Sequence, residues 1–390
     1  MMNPSPGGKE RVAWVSCVGE KGGAETLMIE CLRELDRSRF EPSVIQLRPG
    51  PLTEMLRAID VEVHVLETHR MREVHKVAGT IASIASIVRR KGIGVLHSNG
   101  FRAHTYGGLG AALAGVAEVW TTHTVEQEGW STSAILGIPT DHVLANCPRT
   151  RDYFVGKGLP TTLVWPGVNG GVLDRHAAEV SRGMLARQYG IPERARWVTV
   201  GARLQRFKGQ DQFLKALAAV IRGGAKDVHG IIVGGSLFGQ ESEYQRELRE
   251  LAETLGIAPQ VTFTGFVPDA HVGGLLAAST LVVHPALEED FGLTVAEAQA
   301  LGVPVVAYAA VGPAEIVVHG KTGWLVKVGD VEGLGVTVAQ ALGSGDGLRA
   351  AGLAGRDRSR REFGADQHAR LTERIYAGAL EQLGARRRIE

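Results

Sequence analysis

Two α/β units, each a doubly wound parallel sheet with helices on both faces, are what this chain of 390 residues predicts. Three observations carry that expectation. Short apolar runs alternate with helix-period patterns from end to end, as successive βαβ units require. The alternation breaks at the turn-rich Trp165-Pro-Gly-Val-Asn-Gly-Gly171 and then starts afresh. Finally, 390 residues exceed one ordinary core and suffice for two. Sheets of this kind bind ligands beyond the carboxyl ends of their strands, so the ligand is expected in a cleft that the two units face.

Taken in order, the first strand is expected at 12–18, followed by a glycine turn and an apolar-periodic helix to about residue 35. Further strand-like runs cover 43–47, 61–66, 95–98, 119–122 and 142–145. Between them, Val77, Ile81, Ile84 and Val88 share one helical face. Arg89, Arg90 and Lys91 close that helix at its negative end, with Gly92 as the cap. The second series opens at 197–201 and continues through 229–233, 261–264, 281–284 and 303–307. The expected division is 1–168 and 169–365, with a last helix, about 366–390, packing back on the first unit. Tyr106-Gly-Gly-Leu-Gly110 looks like a phosphate turn but continues as Ala-Ala-Leu-Ala, which reads better as helix packing by small residues.

Composition excludes several classes. Lys plus Arg (43) nearly cancel Asp plus Glu (42), leaving +1, without the basic excess of a nucleic-acid binder. Hydrophobic residues at 44% and charged residues at 22% are the balance of a soluble globular protein. Cys17, Cys31 and Cys147 are few and far apart, implying neither a disulfide framework nor a zinc site. The polar stretch 1–10 lacks the apolar core of a signal peptide, and no run of ~18 apolar residues is present to cross a bilayer. A cytoplasmic protein is expected.

The residues with chemistry cluster in the second half. Gly201-Ala-Arg203-Leu-Gln-Arg-Phe-Lys208-Gly209 directly follows a strand. Arg203 offers a planar fork and Lys208 a point charge, and both suit a diphosphate; the same residues also fit a solvated basic loop. Next comes Pro285-Ala-Leu-Glu-Glu289-Asp-Phe-Gly292-Leu-Thr294-Val-Ala-Glu297-Ala. Amides of Gly292, Leu293 and Thr294 at a helix start can receive phosphate oxygens. Ionised Glu289 and Glu297 accept hydrogen bonds from sugar or ribose hydroxyls. Thr294 and Glu297 equally fit a capping box that merely closes their own helix. His123, in Thr121-Thr-His123-Thr, and His97 sit at strand ends, where a histidine serves either a ligand or the local hydrogen bonding.

Arg203…Lys208-Gly209 followed by Glu289-Asp-Phe-Gly-Leu-Thr-Val-Ala-Glu297-Ala closely resembles the retaining GT-B glycosyltransferases of family 4, whose signature is two Glu separated by seven residues. Gly312-Pro-Ala-Glu315-Ile and Thr322-Gly-Trp-Leu-Val326 match the same family downstream, and Gly22-Gly23-Ala24-Glu25 matches its N-terminal glycine turn. The resemblance spans nearly the whole chain. One departure is the linker Pro-Gly-Val-Asn169, where the family has Asn-Gly-Val-Asp.

The resemblance implies two Rossmann-like units of the GT-B type and a set of roles. Arg203 and Lys208 would hold the donor diphosphate and offset charge on the leaving group. Glu289 would bind the transferred sugar, and Glu297 the ribose. Backbone around Phe291, Gly292, Leu293 and Thr294 would lie at the phosphates, and Phe266 and Val267 against the base. Gly22 and Gly23 would admit the phosphates from the N-terminal unit. His123 would stand near the reacting carbon. No Asp-x-Asp metal pattern accompanies these residues, so neither a metal nor another cofactor is expected, and the nucleotide sugar is a substrate. The implied activity is a retaining hexosyltransferase acting on a glycan, lipid-linked or small-molecule acceptor. The alternatives are a same-fold epimerase or phosphorylase, or a non-catalytic nucleotide-sugar-binding module. His69-Arg-Met-Arg72, His75-Lys76 and Arg89-Arg-Lys91 suit an anionic acceptor or a weak peripheral membrane contact, although a solvated helix face accounts for them better.

Overall fold

Thirteen strands among the described residues fall into two parallel sheets, one in each of two units. A computed structural model describes residues 8–67, 69, 72–123, 130–235 and 243–389. One unit comprises the chain up to Gly167 together with the segment from Ala365 onward; the other is Val168–Gly364.

The first unit contains β1 (Glu10–Ser16), β2 (Phe40–Gln46), β3 (Glu62–Val65), β4 (Val95–Asn99), β5 (Ala117–Thr122), β6 (His142–Ala145) and β7 (Thr161–Leu163). Their spatial order is β3-β2-β1-β4-β5-β6-β7. Alternation along β1 shows why both faces must be covered. Val12 and Trp14 enter one apolar cluster, with Met28 and Leu32 of the helix Gly23–Glu34 and Tyr376 of the last helix. Ala13 and Val15 point the other way, against Ile84, Val88 and Tyr106. The last helix, Ala365–Ile389, is held to this sheet from inside. The Tyr376 hydroxyl lies 2.6 Å from His97 Nδ1, and Trp14 packs against the same imidazole with ring centroids 3.6 Å apart.

The helix Val74–Lys91 carries its predicted apolar face inward and ends at Gly92, whose φ of 64° is the left-handed cap. In the helix Phe101–Ala114 the small residues permit close approach. A β-carbon on Gly107 would stand 2.2 Å from Ser98 Oγ, and one on Gly110 would stand 2.7 Å from Ile84. The phosphate-like stretch is therefore a packing surface.

The second unit contains β8 (Arg196–Gly201), β9 (Val228–Val233), β10 (Val261–Gly265), β11 (Leu281–His284), β12 (Val305–Tyr308) and β13 (Gly323–Val326), in the order β10-β9-β8-β11-β12-β13. Val198 and Val200 face Phe213 and Leu217, whereas Trp197 faces Leu185 and Ile231. β12 starts two residues later than expected because Pro304 cannot donate to the ladder, and the Val303 amide instead closes the preceding helix on Ala298 O at 2.9 Å. The edge strands β7 and β13 were not anticipated; at three and four residues they are too short to show a period. Among the described residues no helix is long and apolar enough to cross a membrane.

Candidate functional site

In each sheet the strand order reverses once, between β1 and β4 and between β8 and β11. Loops leaving neighbouring strands at such a point diverge and leave a crevice at the carboxyl ends. In the second unit that crevice lies beside Gly201, the last residue of β8, and His284, the last of β11.

After β8 the chain turns through a 3₁₀ segment, Arg206–Lys208, into the helix Gln210–Arg222. Gly209 joins the two at φ 70°, and a β-carbon there would stand 2.0 Å from Pro285 O. Only glycine meets both conditions, so this turn and the loop after β11 are pressed together. Leu287 N donates to Phe207 O at 2.7 Å and adds a second tie. The buried Gln210 side chain donates to Arg203 O at 2.9 Å and fixes the start of the turn.

The result is an ion cluster. Lys208 Nζ lies 2.6 Å from Glu289 Oε2, with the two side chains only 17% and 15% exposed. His284 Nε2 lies 3.1 Å from the same oxygen. Burial pushes the Glu289 carboxyl up, but the His284 hydrogen bond and the charges of His284 and Lys208 outweigh it and bring the carboxyl down to about 2. Glu289 is thus a held carboxylate.

The cations of the basic turn are not equivalent. Arg206 is taken up by Glu247 at 2.6 Å and lies over the Tyr244 ring. Arg203 is exposed, and no hydrogen bond or ion pair engages its side chain among the described residues.

Downstream, Gly292 at φ 95° caps the helix Leu293–Ala300. Thr294 is the second helical residue, and its hydroxyl donates to Gly201 O at 2.9 Å, stitching the helix start to the end of β8. The capping-box alternative for Thr294 and Glu297 therefore does not hold. No hydrogen bond from the amides of Gly292, Leu293 or Thr294 is found among the described residues, so the helix start presents donors. Glu289 O accepts from Gly312 N at 2.9 Å, which ties the Gly312-Pro-Ala segment to this loop. Phe291 is 4% exposed with its ring edge-on to Phe363 at 5.7 Å, so its side chain serves packing. Phe266 follows β10 and is 60% exposed, while Val267 packs on the apolar cluster around Trp197.

In the first unit, His123 follows β5 between Asn99, at the end of β4, and Asn146, just after β6. His123 Nε2 lies 2.7 Å from Asn99 Oδ1, and Asn146 Nδ2 donates to His123 O at 2.9 Å. Accepting by Asn99 requires Nε2–H, which leaves Nδ1 as the acceptor of a neutral ring. Burial and then nearby His368 bring this histidine down to about 4. His97, by contrast, is fully buried between Tyr376 and Thr121, each at 2.6 Å, and is a structural hydrogen bonder. Gly22 caps the helix Gly23–Glu34 in ordinary extended backbone, φ −122°, and its amide donates to Glu25 Oε2 at 3.1 Å.

Among the basic residues of this unit, Lys76 pairs with Glu73 and Lys91 with Glu62 at the surface, as a solvated helix would have it. Arg70 and Met71 of the His69–Arg72 cluster, and Thr124 after His123, lie outside the described residues. His284, Gln210, Asn99 and Asn146 escaped sequence reading. A histidine directly before Pro285 and five residues before Glu289 was the signal for the first; the asparagines declare themselves only once adjacent strands are aligned.

These loops set at the switch points define a family. Residues 182–358 match the family of glycosyl transferases group 1, and residues 21–170 match Glycosyltransferase Family 4. The chain is 30% identical over 319 residues to a D-inositol 3-phosphate glycosyltransferase of Corynebacterium jeikeium (strain K411), covering 74% of this chain and 72% of that one. It is 32% identical over 268 residues to a GDP-mannose-dependent alpha-(1-6)-phosphatidylinositol monomannoside mannosyltransferase of Mycobacterium tuberculosis (strain ATCC 25618 / H37Rv), covering 63% of this chain and 66% of the relative. The fold matches Anabaena Alr3699/HepE, solved with UDP and glucose, at a TM-score of 0.81 and 22% identity over 95% of this chain and 100% of that one. The chain belongs to the group 1, family 4 glycosyltransferases, and its two Rossmann-like units are those of the GT-B fold.

The held carboxylate makes a prediction about acid stability. The folded-state pKa of Glu289 lies below its unfolded value, so its contribution is present above about pH 4.5 and is lost as pH falls toward 2. Urea unfolding between pH 7 and 3 is expected to show a shallower acid decline in Glu289→Gln than in wild type. The full difference, about 2–3 kcal/mol, develops as pH approaches 2. Identical slopes would mean that His284 and Lys208 do not hold the Glu289 carboxylate in solution.

Proposed function

We propose that this glycosyltransferase moves a hexosyl group from a nucleoside-diphosphate sugar to an acceptor hydroxyl, with retention at the anomeric carbon and no required metal. The supporting observation is the Lys208–Glu289 pair at the switch point of the second sheet, a cation and a sugar-binding carboxylate held side by side. In this reading Lys208 and Arg203 take the diphosphate, joined by the amides of Gly292, Leu293 and Thr294. Glu289 accepts hydrogen bonds from the transferred sugar and Glu297 from the ribose. The base lies along Phe266 and Val267. From the first unit, Gly22 and Gly23 border the phosphates, and His123 offers its Nδ1 near the reacting carbon.

The bond from the anomeric carbon to the diphosphate oxygen breaks as the acceptor oxygen bonds to the same face. The acceptor proton passes to the departing phosphate oxygen. Developing negative charge there is stabilised by the protein's own cations, each charge-assisted hydrogen bond contributing about 1.5–3 kcal/mol. The names of the relatives, which act on inositol phosphate and phosphatidylinositol mannoside, favour a polyol or glycolipid acceptor. The reaction would run in the cytoplasm or at its membrane face.

Calorimetry with UDP, GDP, ADP and dTDP in excess EDTA tests the reading. Binding of one nucleotide at micromolar affinity or better is expected, and water slowly cleaving the corresponding α-linked nucleotide sugar should release the α-anomer first. Folded protein that binds none of the four would overturn it.

A further inference from the structure

His284 has no part in the roles set out above, yet its Nε2 lies 3.1 Å from the carboxylate assigned to the sugar. It ends β11 and is 4% exposed, so pairing with Ala307 of β12 fixes its backbone and burial fixes its ring. Its Nε2 and the Lys208 ammonium meet the same oxygen of Glu289, at 3.1 and 2.6 Å. No hydrogen bond to the other oxygen, Oε1, is found among the described residues. One carboxylate oxygen is therefore doubly held while the other is left for a ligand.

The two holders differ in mobility. Lys208 reaches Glu289 along a flexible four-carbon stem, and a diphosphate competes directly for its ammonium. If lysine were the sole partner, its move to phosphate would strand a largely buried carboxylate, which is unfavourable. The lysine would then stay on Glu289 and the diphosphate would bind weakly.

We propose that His284 is a positioning residue, keeping Glu289 in place when Lys208 turns to the donor diphosphate and so leaving Oε1 directed to a sugar hydroxyl. The inference rests on the donor-site reading above. It adds that diphosphate affinity depends on a histidine that touches neither phosphate nor sugar.

The test is a double-mutant cycle read by calorimetry, with whichever of UDP, GDP, ADP and dTDP the wild type binds as the probe. His284→Phe, which keeps the ring volume and removes the donor, is expected to weaken binding by about tenfold. His284→Gln, whose amide nitrogen approximates Nε2, is expected to return affinity to within about twofold of wild type. In a Glu289→Gln background the neutral side chain needs no ionic holder, so His284→Phe should then change nothing. Equal losses in both backgrounds would mean that His284 only packs the end of β11, and wild-type affinity in His284→Phe would equally overturn the proposal. If His284→Phe does not fold, His284→Asn replaces it, with an amide too short to reach Glu289 and an expected loss like that of phenylalanine. A wild type that binds no nucleotide would fail the donor-site reading itself, a different result from binding that ignores His284.

Discussion

Lys208→Ala is expected to lower the rate of sugar transfer by about 10²–10³ while the protein stays folded. The lysine is the best-placed cation of its turn, because Arg206 is spent on Glu247 and Arg203 stands exposed with greater freedom. In the proposed reading its loss removes a donor from the departing diphosphate, while His284, 3.1 Å away, still holds Glu289. Lys208→Arg should rescue poorly, because the guanidinium is longer and planar in a place only 17% exposed. Turnover of the nucleotide sugar bound by wild type, followed as released nucleotide, checks the rate. Calorimetry of the same nucleotide separates lost binding from lost chemistry. Full turnover by Lys208→Ala would remove this residue from the mechanism and leave Arg203 as the cation to examine.

Much of the fold was legible because its determinants are local. β6 and β11 lie where the apolar runs end, and the helix Val74–Lys91 follows from four apolar residues on one face and a glycine cap. What escaped depends on neighbours distant in sequence. β7 and β13 are short edge strands that owe their conformation to β6 and β12 rather than to their own pattern. The same distinction divides the site. Lys208 and Glu289 stand in recognisable motifs, but their contact, 81 residues apart in the chain, exists only because β8 and β11 are adjacent. Thr294 shows the limit of local reasoning most plainly. Its spacing from Glu297 fits a cap, yet its hydroxyl goes to Gly201, 93 residues away.

The turn that carries Lys208 depends on an atom it lacks, and Gly209→Ala is expected to destabilise the second unit by about 3–5 kcal/mol. Two costs combine there, and the molecule supplies the means to separate them. Gly209 and Gly256 share the same backbone torsion, φ 70°, but a β-carbon on Gly256 would meet nothing within 4 Å. Gly256→Ala thus reports the left-handed conformation alone, about 1–2 kcal/mol. At Gly209 the β-carbon would lie 2.0 Å from the carbonyl oxygen of Pro285, a backbone atom with no side-chain torsion to relieve it. Either the 3₁₀ turn or the loop after β11 must move, and the first carries Lys208 while the second carries Glu289. Nucleotide affinity should therefore fall in Gly209→Ala and stay unchanged in Gly256→Ala. Urea unfolding gives the stability difference and calorimetry the affinity. Equal behaviour of the two variants would mean that the loops part without disturbing the ion pair, and that the close approach of Gly209 to Pro285 is incidental to the site.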